Sequence, residues 1–148
     1  MSGEPGQRVI RVLLAGDGHI FRRTLRDLLG LEGDLRVVAE AESGPETLSM
    51  AEAHRPDVAV LDVDEPGSGG VEAAMTLRER LPDCRIVIIT GDCRSGQLNQ
   101  ALSVGARGVA WKSAPAEQLP AAIRIVHSGG RYVHPELVAE AITSAGAT

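Results

Sequence analysis

Asp17, Asp62, Thr90 and Lys112 each stand at the end of a short apolar run rich in β-branched residues. If those runs are strands of one parallel sheet, two acids, a hydroxyl and an ammonium converge at one end of it. A carboxylate pair is a ligand set for a hard divalent cation such as Mg²⁺. One carboxylate of the pair can also act as a nucleophile toward a phosphoryl group, giving an aspartyl-phosphate. A lysine and a hydroxyl can then hold the phosphoryl oxygens as charge develops on them. A strand-terminal Asp on its own is more often a turn-former or a helix cap. Four such residues together point to a functional site.

The elements that must position them are legible as an alternation. Five apolar runs, Val9–Leu14, Arg36–Ala39, Val58–Leu61, Ile86–Ile89 and Gly108–Ala110, are expected to be strands. The first, third and fourth are almost continuously apolar, as in strands covered on both faces. Helical patterns lie between them. Phe21, Leu25, Leu28 and Leu29 share one face of the first. Ser43 is placed to N-cap the second, with Pro45 just inside, Glu46 three residues on, and Leu48, Met50 and Ala51 as its apolar positions. Val71, Ala74, Met75 and Leu77 stripe the third, which stops before Pro82. Leu98, Ala101, Leu102 and Val104 mark the fourth, closed by Gly105. Leu119, Ala122, Ile123 and Val126 mark the fifth, ended by Gly129 and Gly130, and a last short helical stretch begins at Glu136. Such β–α alternation implies an α/β fold with a parallel sheet and right-handed crossovers, and ligands bind at the carboxyl ends of its strands.

Composition narrows the classes further. The 148 residues fit one domain, with 43% hydrophobic and 24% charged residues, as in ordinary globular chains. With one Phe, one Tyr and one Trp, Val, Leu, Ile and Ala must fill the core. A net charge of −5 with no basic run offers no electrostatic footprint for nucleic acid. No apolar stretch is long enough to span a bilayer, and Met1 to Gln7 does not read as a signal peptide, so a cytoplasmic location is expected. Cys84 and Cys93 flank the fourth strand; nine extended steps separate them by roughly 30 Å, too far for a disulfide, and two reduced thiols are expected.

The residues at the strand ends resemble those of response-regulator receiver domains of two-component systems. The resemblance runs from Val9 to about Leu137. It is carried by Val12-Leu13-Leu14-Ala15-Gly16-Asp17, by Leu61-Asp62-Val63-Asp64-Glu65-Pro66-Gly67, by Ile88-Ile89-Thr90-Gly91, and by Gly105-Ala106-Arg107-Gly108 with Lys112. The stretch Gly105 to Pro115 and the ending Val126-His127-Ser128-Gly129-Gly130 are most similar to the NarL/LuxR-type subfamily. The resemblance implies a doubly wound, flavodoxin-like, five-stranded parallel sheet of order 2-1-3-4-5. It implies a flexible lead-in over 1–8, the receiver over 9–130, and over 131–148 the start of a linker toward an output domain, helix-turn-helix in this subfamily. Asp62 would be the phosphoacceptor of a histidine kinase, and Thr90 and Lys112 would bind the phosphoryl group. Mg²⁺ would be held by Asp17, Asp62 and the backbone carbonyl of Asp64. Thr90 and Trp111 would form the switch, and a homodimer would form through helices one and five or the face beside strand five. DNA would be reached only through the output domain. Such a domain is a phosphoacceptor rather than an enzyme, with at most slow self-catalysed phosphorylation and dephosphorylation.

This sequence also departs from the family. Two adjacent acids usually follow strand one, and here the first is Gly16. Loss of one carboxylate should weaken cation binding, so the expectation is phosphorylation that is slow or needs unusually high Mg²⁺. Glu65 stands where the subfamily commonly has Met, and is either a replacement carboxylate or a solvated loop residue. Gly91 leaves room beside Thr90, Asp92 holds a position that influences phosphate hydrolysis in the family, and Trp111 is either a switch or edge packing. His19 reads as a surface residue, and Cys93 lacks a nearby His–acid pair.

Three functions compete. One is a phosphorylation-dependent switch at Asp62. A second is an atypical pseudo-receiver that binds or dimerises without phosphate, favoured by Gly16. A third, a haloacid-dehalogenase-like phosphatase, would use Asp62 and Asp64, but the aromatic and Asp-x-Thr pattern that follow such nucleophiles are missing. Gly16-x-Gly18 is not a dinucleotide fingerprint, because Phe21 occupies the place of its third glycine.

Overall fold

The computed structural model describes residues 9–16, 18–64, 69–91 and 103–135. The expected fourth helix falls mostly outside these residues, as do Asp17, Glu65, Asp92, Cys93 and the stretch from Glu136. The described elements run β1 (Ile10–Ala15), α1 (His19–Leu29), β2 (Leu35–Ala41), α2 (Gly44–His54), β3 (Val58–Asp62), α3 (Gly70–Arg80), β4 (Arg85–Thr90), β5 (Gly108–Trp111), α4 (Gln118–His127) and β6 (Tyr132–Val133).

All strands pair in parallel in the order β2-β1-β3-β4-β5-β6. The expected order 2-1-3-4-5 is therefore present, with one strand more than expected. Gly129, at φ +100°, turns the chain out of α4. Tyr132 then donates its N–H to Arg107 O and His134 to Val109 O, so two residues dress the free edge of β5. This strand lies past residue 130, in the stretch read above as opening a linker.

The central strands are covered on both faces, and alternate side chains enter two separate cores. Leu13, Ala59, Leu61, Ile86, Ile88 and Val109 pack with Ala51 of α2 and Ala74 and Leu77 of α3. Val12, Leu14, Val58, Val60, Val87 and Ile89 pack with Leu29 of α1 and with Leu119, Ile123 and Val126 of α4. Full burial of each Val, Leu or Ile favours folding by about 1.5–3 kcal/mol. Met75, expected on the core stripe, is half exposed at 50%. Ala73 takes the inward place instead, the buried arc of α3 being centred on Ala73, Ala74 and Leu77.

Local signals at the helix ends hold with one variation. Ser43 Oγ accepts from Glu46 N–H (3.3 Å), while the Glu46 carboxylate reaches back to the N–H of Glu42 (2.7 Å) rather than to that of Ser43. Gly69 caps α3 at φ +82°, and a Cβ on Gly44 would lie 2.8 Å from Gly69 O. The amino ends of α2 and α3 therefore touch backbone to backbone beside the site.

Candidate functional site

β3 is buried along its whole length and ends in Asp62, which is 7% exposed. Burial of a carboxylate is costly unless it is paired and hydrogen-bonded. Asp62 has both forms of compensation. Its Oδ1 accepts the N–H of Asp64 (3.0 Å), and its Oδ2 lies 2.9 Å from Lys112 Nζ. Lys112 is brought there by the β4–β5 pairing, which continues one step past β5 as Lys112 N–H donates to Thr90 O (2.9 Å). Its ammonium also lies 5.0 Å from the ring centroid of Phe21 on α1, within cation–π range.

Asp64 was expected to contribute only its backbone carbonyl, yet its side chain holds the centre of the site. Thr90 donates its hydroxyl to Asp64 Oδ1 (2.6 Å). Gly91 donates its N–H to Asp64 Oδ2 (2.8 Å), and Lys112 Nζ is 3.0 Å from the same oxygen. One ammonium is thus shared by two carboxylates. Burial opposes the charged form of Lys112, but the hydrogen bonds and charges of Asp62 and Asp64 outweigh it, and its pKa is raised. Thr90, at 1% exposure, is fixed at the end of β4 and turned to Asp64.

The strand-one side of the site is shaped by a glycine. A Cβ on Gly16 would stand 2.9 Å from the Cβ of Asp62, closer than two carbons approach without bonding. The backbone is held there from both sides, since Gly16 donates its N–H to Ala41 O (3.0 Å) and its carbonyl accepts from Arg22 Nη1. Arg22, 6% exposed on α1, also donates Nε to Glu40 Oε1 (3.3 Å) and lies 3.4 Å from His19 Nδ1. His19 itself is exposed, as expected.

Among the described residues no group of three His, Cys, Asp or Glu side chains is placed to hold a metal ion. Gly16 has no donor, and the second acid, Asp17, lies outside the described residues. Asp62 and Asp64 spend their oxygens on Lys112, Thr90 and backbone N–H groups. The described residues do not by themselves complete a cation site.

Of the residues singled out from sequence, the fold brings together Asp62, Asp64, Thr90, Gly91 and Lys112. Trp111 is adjacent in the chain, but its ring turns to His134, with centroids 5.4 Å apart and planes tilted by 53°. Its backbone N–H and C=O are both paired with the Gln118 side chain (3.0 Å each), which holds β5 against α4. Sequence reading missed Arg22, although a signal was present. Arg22 is three residues before Leu25 and seven before Leu29, so a charge falls on the apolar stripe of α1. The receiver reading gave Asp64 only its backbone carbonyl, and its side chain entered only in the phosphatase alternative.

Residues 12–124 match the family described as the response regulator receiver domain. The chain is 34% identical to the transcriptional regulatory protein DesR of Bacillus subtilis (strain 168) over 137 residues, covering 93% of this chain and 68% of that protein. It is 38% identical over 121 residues to the DNA-binding transcriptional activator DevR/DosR of Mycobacterium tuberculosis, covering 82% of this chain and 56% of that one. A two-component response regulator of the LuxR family from Aurantimonas sp. SI85-9A1 superposes with a TM-score of 0.83 at 32% identity, covering 89% of this chain and 94% of that structure. The NarL receiver domain of Mycobacterium tuberculosis gives 0.77 at 31%, covering 82% and 98%. The chain spans between 56% and 68% of the length of such curated relatives.

Proposed function

The chain belongs to the response regulator receiver domain family, and from that premise we propose that it accepts a phosphoryl group on Asp62 and passes the change to an output that controls transcription. The observation that carries this reading is the pairing of a buried strand-end carboxylate with an ammonium at 2.9 Å. In the reaction an Asp62 oxygen attacks the phosphorus of a phosphohistidine. The new P–O bond forms as the P–N bond breaks, and the imidazole leaves with the bonding pair. Lys112 then holds one phosphoryl oxygen, and the Thr90 hydroxyl and Gly91 N–H supply further donors. The donor is a histidine kinase, and turnover beyond slow self-catalysed phosphorylation and hydrolysis is not part of the role.

The wider roles follow the relatives. DesR and DevR/DosR carry names of transcription regulators, which supports a transcriptional output. This domain has a net charge of −5, so DNA contact belongs to an output domain and not to this surface. Among the described residues no helix is long and apolar enough to cross a membrane, which agrees with a cytoplasmic site of action. Thr90 and Trp111 carry the switch, and the domain works as a homodimer. Receiver domains generally bind Mg²⁺. With Gly16 in place of an acid, phosphorylation here demands more of it than usual.

Mass spectrometry of the chain incubated with acetyl phosphate across a range of Mg²⁺ concentrations tests the assignment. One phosphoryl adduct is expected at Asp62, absent from Asp62→Asn. No adduct at any Mg²⁺ concentration would overturn it and favour the pseudo-receiver reading, for which Gly16 is the specific observation.

A further inference from the structure

Three donors converge on the Asp64 carboxylate: the Thr90 hydroxyl at 2.6 Å, the Gly91 N–H at 2.8 Å and the Lys112 ammonium at 3.0 Å. They are the same three donors that a phosphoryl group on Asp62 needs. A carboxylate is a planar anion with two oxygens, and here both oxygens are used, Oδ1 by Thr90 and Oδ2 by Gly91 and Lys112. We propose that the Asp64 carboxylate is a built-in occupant of the phosphoryl position, which must be displaced before Asp62 can keep a phosphoryl group. This inference rests on the phosphoacceptor reading of Asp62 and adds a regulation to it.

Several features make the occupant fit. The room that Gly91 leaves is the room Asp64 takes, since a Cβ on Gly91 would stand 3.4 Å from Asp64 Oδ2 and 3.5 Å from Lys112 Cδ. The Asp64 side chain is mostly sheltered, at 19% exposure, and Lys112 at 27%, so its charge is held in a site where pairing is stronger than in open water. The backbone of Asp64 is itself tied to Asp62 Oδ1. The occupant is therefore anchored two residues from the acceptor and cannot diffuse away. An entering phosphoryl group competes with it for Lys112 by charge and for Thr90 and Gly91 by hydrogen bonding. No new bond to Asp64 is made in the exchange; its carboxylate swings out and is solvated as the phosphoryl oxygens take its donors.

Asp64→Ala empties the position, and Asp64→Asn keeps its volume while removing its charge, so a fold lost in one variant leaves the other to decide. With acetyl phosphate as donor and Mg²⁺ held constant, both variants are expected to label Asp62 about tenfold faster than the parent chain, the factor that one charge-assisted hydrogen bond corresponds to. Labelling of both variants at or below the parent rate overturns the proposal. If no chain labels, the phosphoacceptor reading fails, and a second measurement still judges the occupant. The Gly91 amide signal of ¹⁵N-labelled protein is followed as inorganic phosphate is added. A saturable shift in Asp64→Ala that the parent lacks supports an occluding carboxylate. An equal shift in both chains, or none in either, overturns it.

Discussion

Placing a methyl group on Gly16 is expected to destabilise the domain, although the position lies in a loop. The Gly16 Cβ would stand 2.9 Å from Asp62 Cβ and 3.6 Å from Asp62 Oδ2. Asp62 cannot move aside cheaply, because its two oxygens are held by Asp64 N–H and Lys112 and its backbone is in β3. Gly16 cannot withdraw either, since Ala41 and Arg22 hold its N–H and its carbonyl. Forcing extra carbon into a packed site costs about 1–3 kcal/mol. Against this, Gly16 is not among the glycines with positive φ, so alanine restricts the unfolded chain and returns about 0.4–1 kcal/mol. The balance for Gly16→Ala is a loss centred on about 1.3 kcal/mol, or roughly 4 °C in Tm for a chain of this size. Urea denaturation with matched slopes and a thermal melt measure it. Gly16→Asp, which restores the acid usual in the family, should lose at least as much, because it adds a second buried carboxylate beside Asp62. A Gly16→Ala variant as stable as the parent would refute the close approach and the reasoning built on it.

Arg22→Met keeps the length of the side chain but leaves the Gly16 carbonyl without its donor, while Glu40 keeps its pairing with Arg26; a loss of about 1–3 kcal/mol is expected in urea denaturation. Arg124 on α4 pairs with Glu32 (2.6 Å) and Asp34 (2.8 Å) across the α1–β2 turn. Being half exposed, Arg124→Ala should cost only about 0.5–1 kcal/mol, and 1 M salt should shrink that difference. The hydrogen bond from Arg124 lowers the pKa of Asp34, so its contribution is present above the ordinary carboxylate range and is lost as pH falls below it; a pH series of melts on parent and variant reads this out. Burial pushes the Cys84 thiol up to about 12. Its folded pKa exceeds its unfolded one, so its contribution is full below the ordinary thiol pKa and is lost as pH rises toward 12. Alkylation of Cys84 at pH 8 should accordingly be slow in the native chain and fast in urea.

What the sequence determined by itself is the frame and its working end. Continuous apolar runs mark strands covered on both faces, and the helical stripes between them leave little freedom but a parallel sheet. Once the sheet is parallel, Asp62, Thr90 and Lys112 must reach one end of it, because each follows its strand in the same direction. That argument needs only local periodicity and chain connectivity. Met75 shows where it weakens: a stripe tells which arc of a helix is apolar, but the elements that pack against α3 decide which part of that arc is covered. The sixth strand escaped notice because two residues carry no period; it exists through the unpaired edge of β5.

Tertiary structure alone decided which partners these residues take. That Thr90 is turned to Asp64, that a single ammonium serves two carboxylates, and that the chain at Gly16 closes on Asp62 all depend on ångström-scale distances between segments far apart in sequence. Residue types name the donors and acceptors, but a hydrogen bond is lost once its partners stand beyond about 3.5 Å. Which acceptor a donor chooses is therefore settled by loop paths and side-chain directions that no local pattern encodes. Asp64 is two residues from Asp62 in every reading of the chain, and only the folded loop turns its carboxylate onto Thr90, Gly91 and Lys112.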